Sequence, residues 1–315
     1  MNNLTMGEAM VLFAANELGS IENVENFTKY CAGAEMNVAI GLSRLSLNSY
    51  YATTLGEDAF GRYIAGILKK EGVKEDYIVY DDKNDTGFML KEKALKGKDP
   101  KVHYYRKNSA ASKSSKTSLN IDFNKINHVH LSGVYLAVNE NTREKVFFVA
   151  EEAKKRGIPI TFDPNLRPLV WNDDLKMINF TNKLAALSNY FMPGIKEAQI
   201  LTGLTEPKDI ADFYHEKGVE CIIIKLGEAG AIAFQKGEEP ALSKGFKIEN
   251  IVDTVGAGDG FATGIVYSLI RKLSLEEALV NGNAIGALQL TCASDNEALP
   301  TEEQLEEFKK GKKIY

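Results

Sequence analysis

Short apolar segments alternate with helical stretches through the second half of the chain. Helices are predicted over 144–155 and from Lys196 onward, each between two strands. The four strands are predicted at 128–132, 158–162, 189–192 and 221–225. Because 221–225 is apolar almost throughout, it is typical of a strand that is covered on both faces. This β-α-β-α order predicts an α/β fold whose mainly parallel central sheet has helices on both sides.

Two segments lack the intervening helix. Residues from about 10–32 and 86–108 are predicted to form short strands joined by turns. The second segment has the pattern of a hairpin, with a polar turn at 96–100. We expect both segments to form a small β-sheet lid over the functional site of a single domain that spans 1–315.

Composition excludes several classes of protein. With 38 basic and 43 acidic residues the net charge is −5, so there is no basic excess to hold a nucleic acid or an anionic membrane. The three cysteines, Cys31, Cys221 and Cys292, lack CxxC spacing and predict neither a disulfide framework nor structural zinc. The sequence has no signal-peptide pattern and no apolar stretch near the roughly 18 residues of a membrane span. We therefore expect a cytoplasmic protein that binds neither nucleic acid nor membrane.

The string DTVGAGDGF at 253–261 carries the strongest functional signal. It is predicted to follow an apolar strand at 251–252 and to open a helix over 261–270. The small residues at 256–258 let a ligand approach the backbone, and amides at a helix N-terminus favour an anion such as a phosphoryl group. Asp259 beside them could accept the proton of a substrate hydroxyl whose oxygen attacks phosphorus. The structural alternative is a plain glycine turn in which the aspartate caps a helix.

This string resembles the C-terminal signature of the ribokinase-like (PfkB) carbohydrate kinases. AGAEMNVA at 32–39 is similar to the N-terminal signature of that family, and GEDAFG at 56–61 and KLGEAG at 225–230 are also similar to family sequences. The resemblance covers essentially the whole chain. It implies a ribokinase-like three-layer α/β/α sandwich with a small β-sheet lid. Neither a Walker A string nor a protein-kinase HRD string occurs, which excludes both of those kinase classes.

The resemblance also implies a role for each matching position. Asp259 would be the base, and the amides of Gly256, Ala257 and Gly258 would form the anion hole. ATP would contact Asn165, Lys196, Lys225, Gly227, Glu228, Gly230, Gly256, Gly258 and Asn283. The sugar would contact Gly33, Ala34, Asn37, Met89, Tyr104, Arg106, Arg167, Asp253, Asp259 and Asp295. Mg²⁺ would be reached through water by Glu197, and a monovalent cation is left open as a further cofactor.

The chain departs from the family pattern at two positions. Many members carry asparagine where this chain has Gly194, and relatives often carry tyrosine where it has Met89. These departures put one nucleotide contact and one substrate hydrogen bond in question.

Tyr104, Arg106 and Arg167 indicate the class of substrate. Tyr104 and Arg106 share one face of their predicted strand, so that both should project into the site. A guanidinium binds a carboxylate in bidentate fashion, and a neutral hexose does not need two of them. The combination resembles 2-keto-3-deoxygluconate kinases, which implies phosphorylation of that acid sugar to its 6-phosphate. A fructokinase or another hexose or ketose kinase is the alternative within the family, and a non-catalytic sugar-binding regulator is the alternative from another class.

The lid also bears on assembly. A small sheet has exposed strand edges, which other subunits commonly cover. We therefore expect a homo-oligomer, at least a dimer, that associates through the lid.

Overall fold

A nine-stranded central sheet and a four-stranded small sheet are present in the residues that the computed structural model describes, which are 1–93, 100–292, 294–312 and 314. The strands are β1 (Asn2–Met6), β2 (Met10–Ala15), β3 (Phe27–Ala32), β4 (Asn48–Gly56), β5 (Ile78–Asp81), β6 (Phe88–Lys91), β7 (Val102–Tyr105), β8 (His128–Ser132), β9 (Ile160–Asp163), β10 (Tyr190–Phe191), β11 (Cys221–Lys225), β12 (Ala231–Gln235) and β13 (Ala241–Ser243). The central sheet has the order β13-β12-β11-β10-β9-β8-β1-β4-β5. The seven strands from β11 to β5 in this order are parallel, and β12 and β13 add antiparallel pairs at one edge.

Helices connect these strands and cover the central sheet. They are α1 (Ala34–Arg44), α2 (Ala59–Lys70), α3 (Ala110–Lys113), α4 (Gly133–Val138), α5 (Glu140–Lys155), α6 (Pro168–Trp171), α7 (Asp174–Ala185), α8 (Ile195–Thr202), α9 (Pro207–Glu216), α10 (Ala257–Arg271), α11 (Leu275–Gln289) and α12 (Glu302–Lys309). None of the helices in the described part of the chain is long and apolar enough to cross a membrane.

Strand β11 shows why helices lie on both faces of the central sheet. Ile222 and Ile224 are completely buried in a cluster that includes side chains of α5, α7 and α9. Cys221 and Ile223 are equally buried, in a second cluster with α10 and α11. Because alternate side chains of a strand point to opposite faces, a continuous apolar strand is stable only when both faces are covered. The predicted α/β fold with a mainly parallel sheet is thereby confirmed.

The small sheet is built from the two segments that were predicted to form it. Its order is β3-β2-β6-β7, with β2 parallel to β6 and antiparallel pairs on either side. The strands of both segments are confirmed, whereas most of the polar turn predicted at 96–100 lies outside the described residues. That the whole chain is a single domain stays a prediction.

Some predicted boundaries are wrong, and local contacts account for several of them. Residues 251–252 are exposed and form no strand, because the Val252 amide donates to the Leu290 carbonyl at the end of α11, at 2.8 Å, and not to a neighbouring strand. Helix α10 begins at Ala257 rather than at 261, since Gly256 caps it in a left-handed conformation. Helix α5 begins four residues before 144, because Asn139 forms a capping box there. Strands β9 and β10 are also shorter than predicted.

Candidate active site

Two cavities meet at the carboxyl end of the central sheet. The lid cavity, about 460 Å³, lies between the small sheet and the N-termini of α1 and α10. The helix cavity, about 760 Å³, lies beside α10 and α11. Lys225, Thr254 and Gly258 line both cavities, so molecules bound in the two could meet at these residues.

Asp259 lies in the first turn of α10 and lines the lid cavity. Its Oδ2 accepts a hydrogen bond from Asn37 Nδ2 at 2.8 Å, and its Oδ1 accepts one from Asn165 Nδ2 at 3.3 Å. Burial raises the pKa of Asp259 to about 6, assisted by the carboxylates of Asp163 and Asp295, although the hydrogen bond from Asn37 opposes the rise. Two amides therefore orient a carboxylate whose pKa suits proton transfer near neutral pH.

Asn165 reaches Asp259 from an unusual backbone conformation. Its φ is +35°, a region that residues other than glycine rarely occupy. The backbone N–H of Asn165 donates to Asp163 Oδ1 at 3.1 Å, and this bond stabilises the turn that follows β9. Backbone strain of this kind persists where the surrounding structure fixes it, and functional sites are a common location.

The N-terminus of α10 offers a cradle for an anion. The amides of residues 257–259 have no acceptor within the helix, and Gly256 turns the chain with a φ of +83°. A Cβ atom at Gly256 would lie 2.8 Å from the carbonyl oxygen of Asp295, so only glycine fits. We call residues 256–258 the anion cradle. Its amides and the positive end of the helix dipole favour a phosphoryl group.

Lys225 places a positive charge beside the anion cradle. Its ammonium lies 4.0 Å from the position that a Cβ of Gly258 would take. It donates to both oxygens of Asp163, at 2.9 and 2.8 Å. Burial alone would lower the pKa of Lys225, but Asp163, Glu197 and Asp259 raise it above the usual value. The lysine is therefore charged, and Asp163 fixes where that charge lies.

The wall of the lid cavity opposite α10 carries a buried ion pair. Arg106 is 6% exposed, and its Nε and Nη2 lie 2.8 and 2.7 Å from Glu8 Oε2. Glu8 also accepts a 2.5 Å hydrogen bond from Ser109. The Tyr104 ring lies 5.8 Å from the Arg106 guanidinium. Arg167 lines the same cavity from the exposed end of the Asn165 turn, and its Nη1 donates to the Leu166 carbonyl at 3.1 Å.

A model of the pfkB carbohydrate kinase family matches residues 1–302. The 2-dehydro-3-deoxygluconokinase of Bacillus subtilis is 42% identical over 98% of this chain and 95% of its own. A PfkB protein from Polaromonas has a solved structure that is 36% identical, with a TM-score of 0.88 over 97% of this chain and 99% of its own.

The chain belongs to the pfkB family of carbohydrate kinases. A structure of an E. coli protein described as a ribokinase II, in complex with ATP and Mg²⁺, has the same fold, with a TM-score of 0.91 over 99% of each chain at 24% identity. The protein is thus a sugar kinase of the ribokinase-like fold, as its sequence predicts.

Most of the positions predicted to contact the sugar meet in one place. Nine of the ten line the lid cavity, namely Gly33, Ala34, Asn37, Met89, Tyr104, Arg106, Arg167, Asp259 and Asp295. Asp253 does not line the lid cavity. It instead accepts a hydrogen bond from Lys91, and Lys91 does line that cavity. Met89 packs with Met10, Leu12 and Ala32 and presents an apolar wall where relatives often have a phenol. The roles of these residues in the kinase stay predictions.

The positions predicted to contact ATP are more dispersed. Five of them, Lys225, Gly227, Glu228, Gly258 and Asn283, line the helix cavity. Asn165 and Gly256 line the lid cavity. Gly230 is buried in a turn where a Cβ would lie 2.0 Å from the Ser243 carbonyl oxygen, so its backbone conformation is what the fold uses. Lys196 is exposed on α8 and lines neither cavity in the part of the chain that the structure describes.

Glu197 lines the lid cavity, but backbone amides already engage its carboxylate. Oε1 accepts from the Leu166 amide and Oε2 from the Gly194 amide, both at 2.7 Å. The second bond caps the N-terminus of α8 through the Glu197 side chain alone and needs no side chain at residue 194. The described residues contain no cluster of three or more acidic, histidine or cysteine side chains that could hold a metal alone. This donor set suits Mg²⁺ held mainly by phosphates and water, to which a single carboxylate contributes.

Sequence reasoning missed two features of the site. Glu8 and Lys91 are charged residues of the small-sheet region, yet both are almost fully buried and line the lid cavity. Residues 245–248 form one side of the helix cavity but lie in irregular backbone without a recognisable pattern. The only sequence signal for Lys91 is that it lies two residues from Met89, on the same face of one strand.

The pKa of Asp259 predicts how activity depends on pH. A general base acts only when ionised, so kcat/KM should fall about tenfold for each pH unit below about 6 and stay level from 7 to 8. An aspartate with an unshifted pKa near 3.9 would keep the rate level down to about pH 5. Initial rates of ADP release between pH 5 and 8 measure this, with circular dichroism as the control for folding. A profile that is flat down to pH 5 would contradict the assignment.

The conformation of Gly256 gives a second prediction. Gly256→Ala should lower the free energy of unfolding by about 1–3 kcal/mol, because alanine resists this left-handed turn and its Cβ would crowd Asp295. It should also lower kcat at least tenfold, since the cradle amides would move. Gly66→Ala is the matched control, because Gly66 lies within α2 with open space around its Cβ position. Denaturant titration and kinetics of the two variants test this, and equal behaviour would contradict it.

Proposed function

We propose that this kinase transfers the γ-phosphoryl group of ATP to the terminal hydroxyl of 2-keto-3-deoxygluconate and forms the 6-phosphate. The observation that carries the proposal is the composition of the lid cavity. The carboxylate of Asp259 lines this cavity beside the anion cradle, and so do the guanidinium groups of Arg106 and Arg167. A linear acid sugar offers an alcohol at one end and a carboxylate at the other. The 42% identical B. subtilis relative named for this activity supports the same substrate.

In the proposed reaction, the substrate hydroxyl lies against Asp259, which accepts its proton. The hydroxyl oxygen forms a bond to the γ-phosphorus while the bond from that phosphorus to the bridging oxygen breaks, so ADP leaves. The amides of the anion cradle and the ammonium of Lys225 stabilise the charge on the transferred group. Asp259 then releases its proton to solvent as the sugar phosphate departs. Mg²⁺, reached by Glu197 through water, would neutralise charge on the phosphates when bound.

The carboxylate of the sugar is proposed to lie at the guanidinium groups. Arg106 Nε and Nη2 are engaged by Glu8, so Arg106 would present mainly Nη1 to the substrate. Arg167 is exposed and is free to reorient toward an incoming anion. Tyr104 would close the same end with a hydrogen bond. Arg106, which Glu8 holds in place, thus offers the substrate a hydrogen-bond donor in a fixed orientation. Arg167 supplies most of the positive charge at this end, because the charge of Arg106 is already paired with Glu8.

A substrate comparison tests the proposed function. We expect kcat/KM for 2-keto-3-deoxygluconate to exceed that for fructose by at least 10³-fold, since a neutral sugar leaves the guanidinium groups unpaired. Phosphorus NMR of the product should place the phosphate on the terminal carbon. A preference for fructose would overturn the substrate and favour the fructokinase alternative. The galactonate epimer, which differs at one hydroxyl, completes the panel.

Three further properties belong to the same proposal. ATP and Mg²⁺ are the phosphoryl donor and the metal, in line with the complex of the E. coli protein of the same fold. Assays with and without potassium chloride decide whether a monovalent cation is also used. A homo-oligomer formed through the exposed edges of the small sheet, in the cytoplasm, is the proposed state, and light scattering measures its mass.

A further inference from the structure

Lys91 connects the small sheet to both sides of the anion cradle. It is the last residue of β6, and its side chain is only 7% exposed. Its ammonium lies 3.0 Å from Asp253 Oδ2 and 3.5 Å from Asp295 Oδ1. These two acids belong to different segments, one before α10 and the other after α11. A single buried cation therefore joins three parts of the chain.

Both acids in turn shape the anion cradle. Asp253 Oδ1 accepts a hydrogen bond from the Val255 amide at 3.0 Å, which sets the turn that leads into Gly256. The carbonyl oxygen of Asp295 accepts a 2.6 Å bond from Gln289 Nε2 and lies directly against Gly256. A shift of either acid would therefore move the backbone amides of the anion cradle.

The same strand also forms part of the cavity wall. Met89 and Lys91 lie two residues apart on β6, so their side chains share the face that looks onto the lid cavity. Without the ammonium, the buried carboxylate of Asp295 and the partly buried carboxylate of Asp253 would face each other with less compensation. A buried charge that loses its partner is strongly destabilising. The position of β6 and the conformation of the cradle are thus coupled through one charge.

We infer that Lys91 is a positioning residue that links closure of the small sheet over the sugar to alignment of the anion cradle. This inference rests on the proposed function, because it takes the cradle as the site that holds the transferred phosphoryl group. Through this link, the small sheet encloses the sugar at the same time as the anion cradle is aligned for the phosphoryl group. ATP hydrolysis in the absence of a sugar would then be suppressed, because the cradle is fully aligned only when the small sheet is closed.

Kinetics of Lys91 variants test the inference. Lys91→Gln, which keeps the length but removes the charge, should lower kcat roughly 10- to 100-fold through misplacement of the cradle, and raise the KM values of ATP and sugar much less. Lys91→Arg should recover most of that loss, because it restores a cation between the two acids. Lys93→Gln is the matched control, since Lys93 on the same segment is exposed and donates to the Asn16 carbonyl at 2.8 Å. If Lys91→Gln keeps kcat within twofold, or if the glutamine and arginine variants are equally impaired, the inference is wrong.

A measurement on the unaltered enzyme does not depend on the variants folding. A non-hydrolysable ATP analogue, added alone, should slow amide hydrogen exchange in residues 253–258 and also in 88–91, because the two segments are coupled. Protection of 253–258 without any change at 88–91 would overturn the inference. The outcome is separable from the substrate proposal, because the exchange experiment contains no sugar. If fructose proves to be the substrate, the kinetic test is run with fructose.

Discussion

We expect Asp259→Ala to lower kcat by at least about 10²-fold and to leave the dissociation constant for ATP within about threefold of the original value. The variant removes the acceptor for the hydroxyl proton but leaves the amides of the anion cradle and the helix cavity in place. Asn37 and Asn165 lose their shared partner, so local order is checked with Asp259→Asn, which keeps one acceptor oxygen. Rapid-quench measurement of sugar phosphate formation separates chemistry from product release.

The asparagine variant gives an internal control for folding. Burial disfavours the ionised form of Asp259 and raises its pKa to about 6, so at pH 8 the ionised side chain weakens the folded state. Replacing it with a neutral isostere should leave the melting temperature unchanged or raise it, while activity is lost. An Asp259→Ala or Asp259→Asn enzyme that retains more than a tenth of kcat would remove Asp259 from the role of base.

We expect Arg106→Ala to raise the KM for the acid sugar by roughly 10- to 100-fold, with little change in the KM for ATP. A charge-assisted hydrogen bond to a carboxylate contributes about 1.5–3 kcal/mol, which corresponds to that range. The variant also strands Glu8, whose carboxylate is completely buried beside Arg106. Breaking a buried ion pair costs about 3–5 kcal/mol of stability, so a loss of activity alone would be ambiguous.

A second variant separates binding from stability. In the double variant Glu8→Gln/Arg106→Met neither side chain is charged, so most of the lost stability should return while the KM for the acid sugar stays high. Glu8→Gln alone keeps the guanidinium and should have a much smaller effect on that KM. Steady-state kinetics and thermal unfolding of the three proteins show whether Arg106 acts on substrate binding or on stability. If the KM values for sugar and ATP rise equally in Arg106→Ala, Arg106 acts on the fold and not on the substrate.

The elements that could be predicted from sequence are those with a strong local pattern. Residues 221–224 of strand β11 are apolar because both faces of the strand are buried, and the two segments predicted without helices form the strands of the small sheet. The glycine-rich string predicted a helix N-terminus beside Asp259, which the structure has, although the helix begins four residues earlier than predicted. Each of these signals depends on neighbours in the chain.

The elements that could not be predicted depend on contacts between distant segments. Lys91 has the sequence context of an exposed strand residue, and only the approach of Asp253 and Asp295 makes it a buried cation. The apolar pair at 251–252 has the composition of a strand but lies exposed beside α11. The burial of Glu8 in the site depends on its ion pair with Arg106, which lies 98 residues further along the chain. Hydrophobic periodicity carries no information about such pairs.

A structure of the Asp259→Asn enzyme with a non-hydrolysable ATP analogue and 2-keto-3-deoxygluconate tests the proposed mechanism most directly. We expect the terminal phosphate within hydrogen-bond distance of the amides of residues 257 and 258. The terminal hydroxyl should lie about 3 Å from the side chain of residue 259, and the carboxylate at Arg106 and Arg167. A phosphate bound away from α10, or an acceptor hydroxyl out of reach of residue 259, would contradict the mechanism.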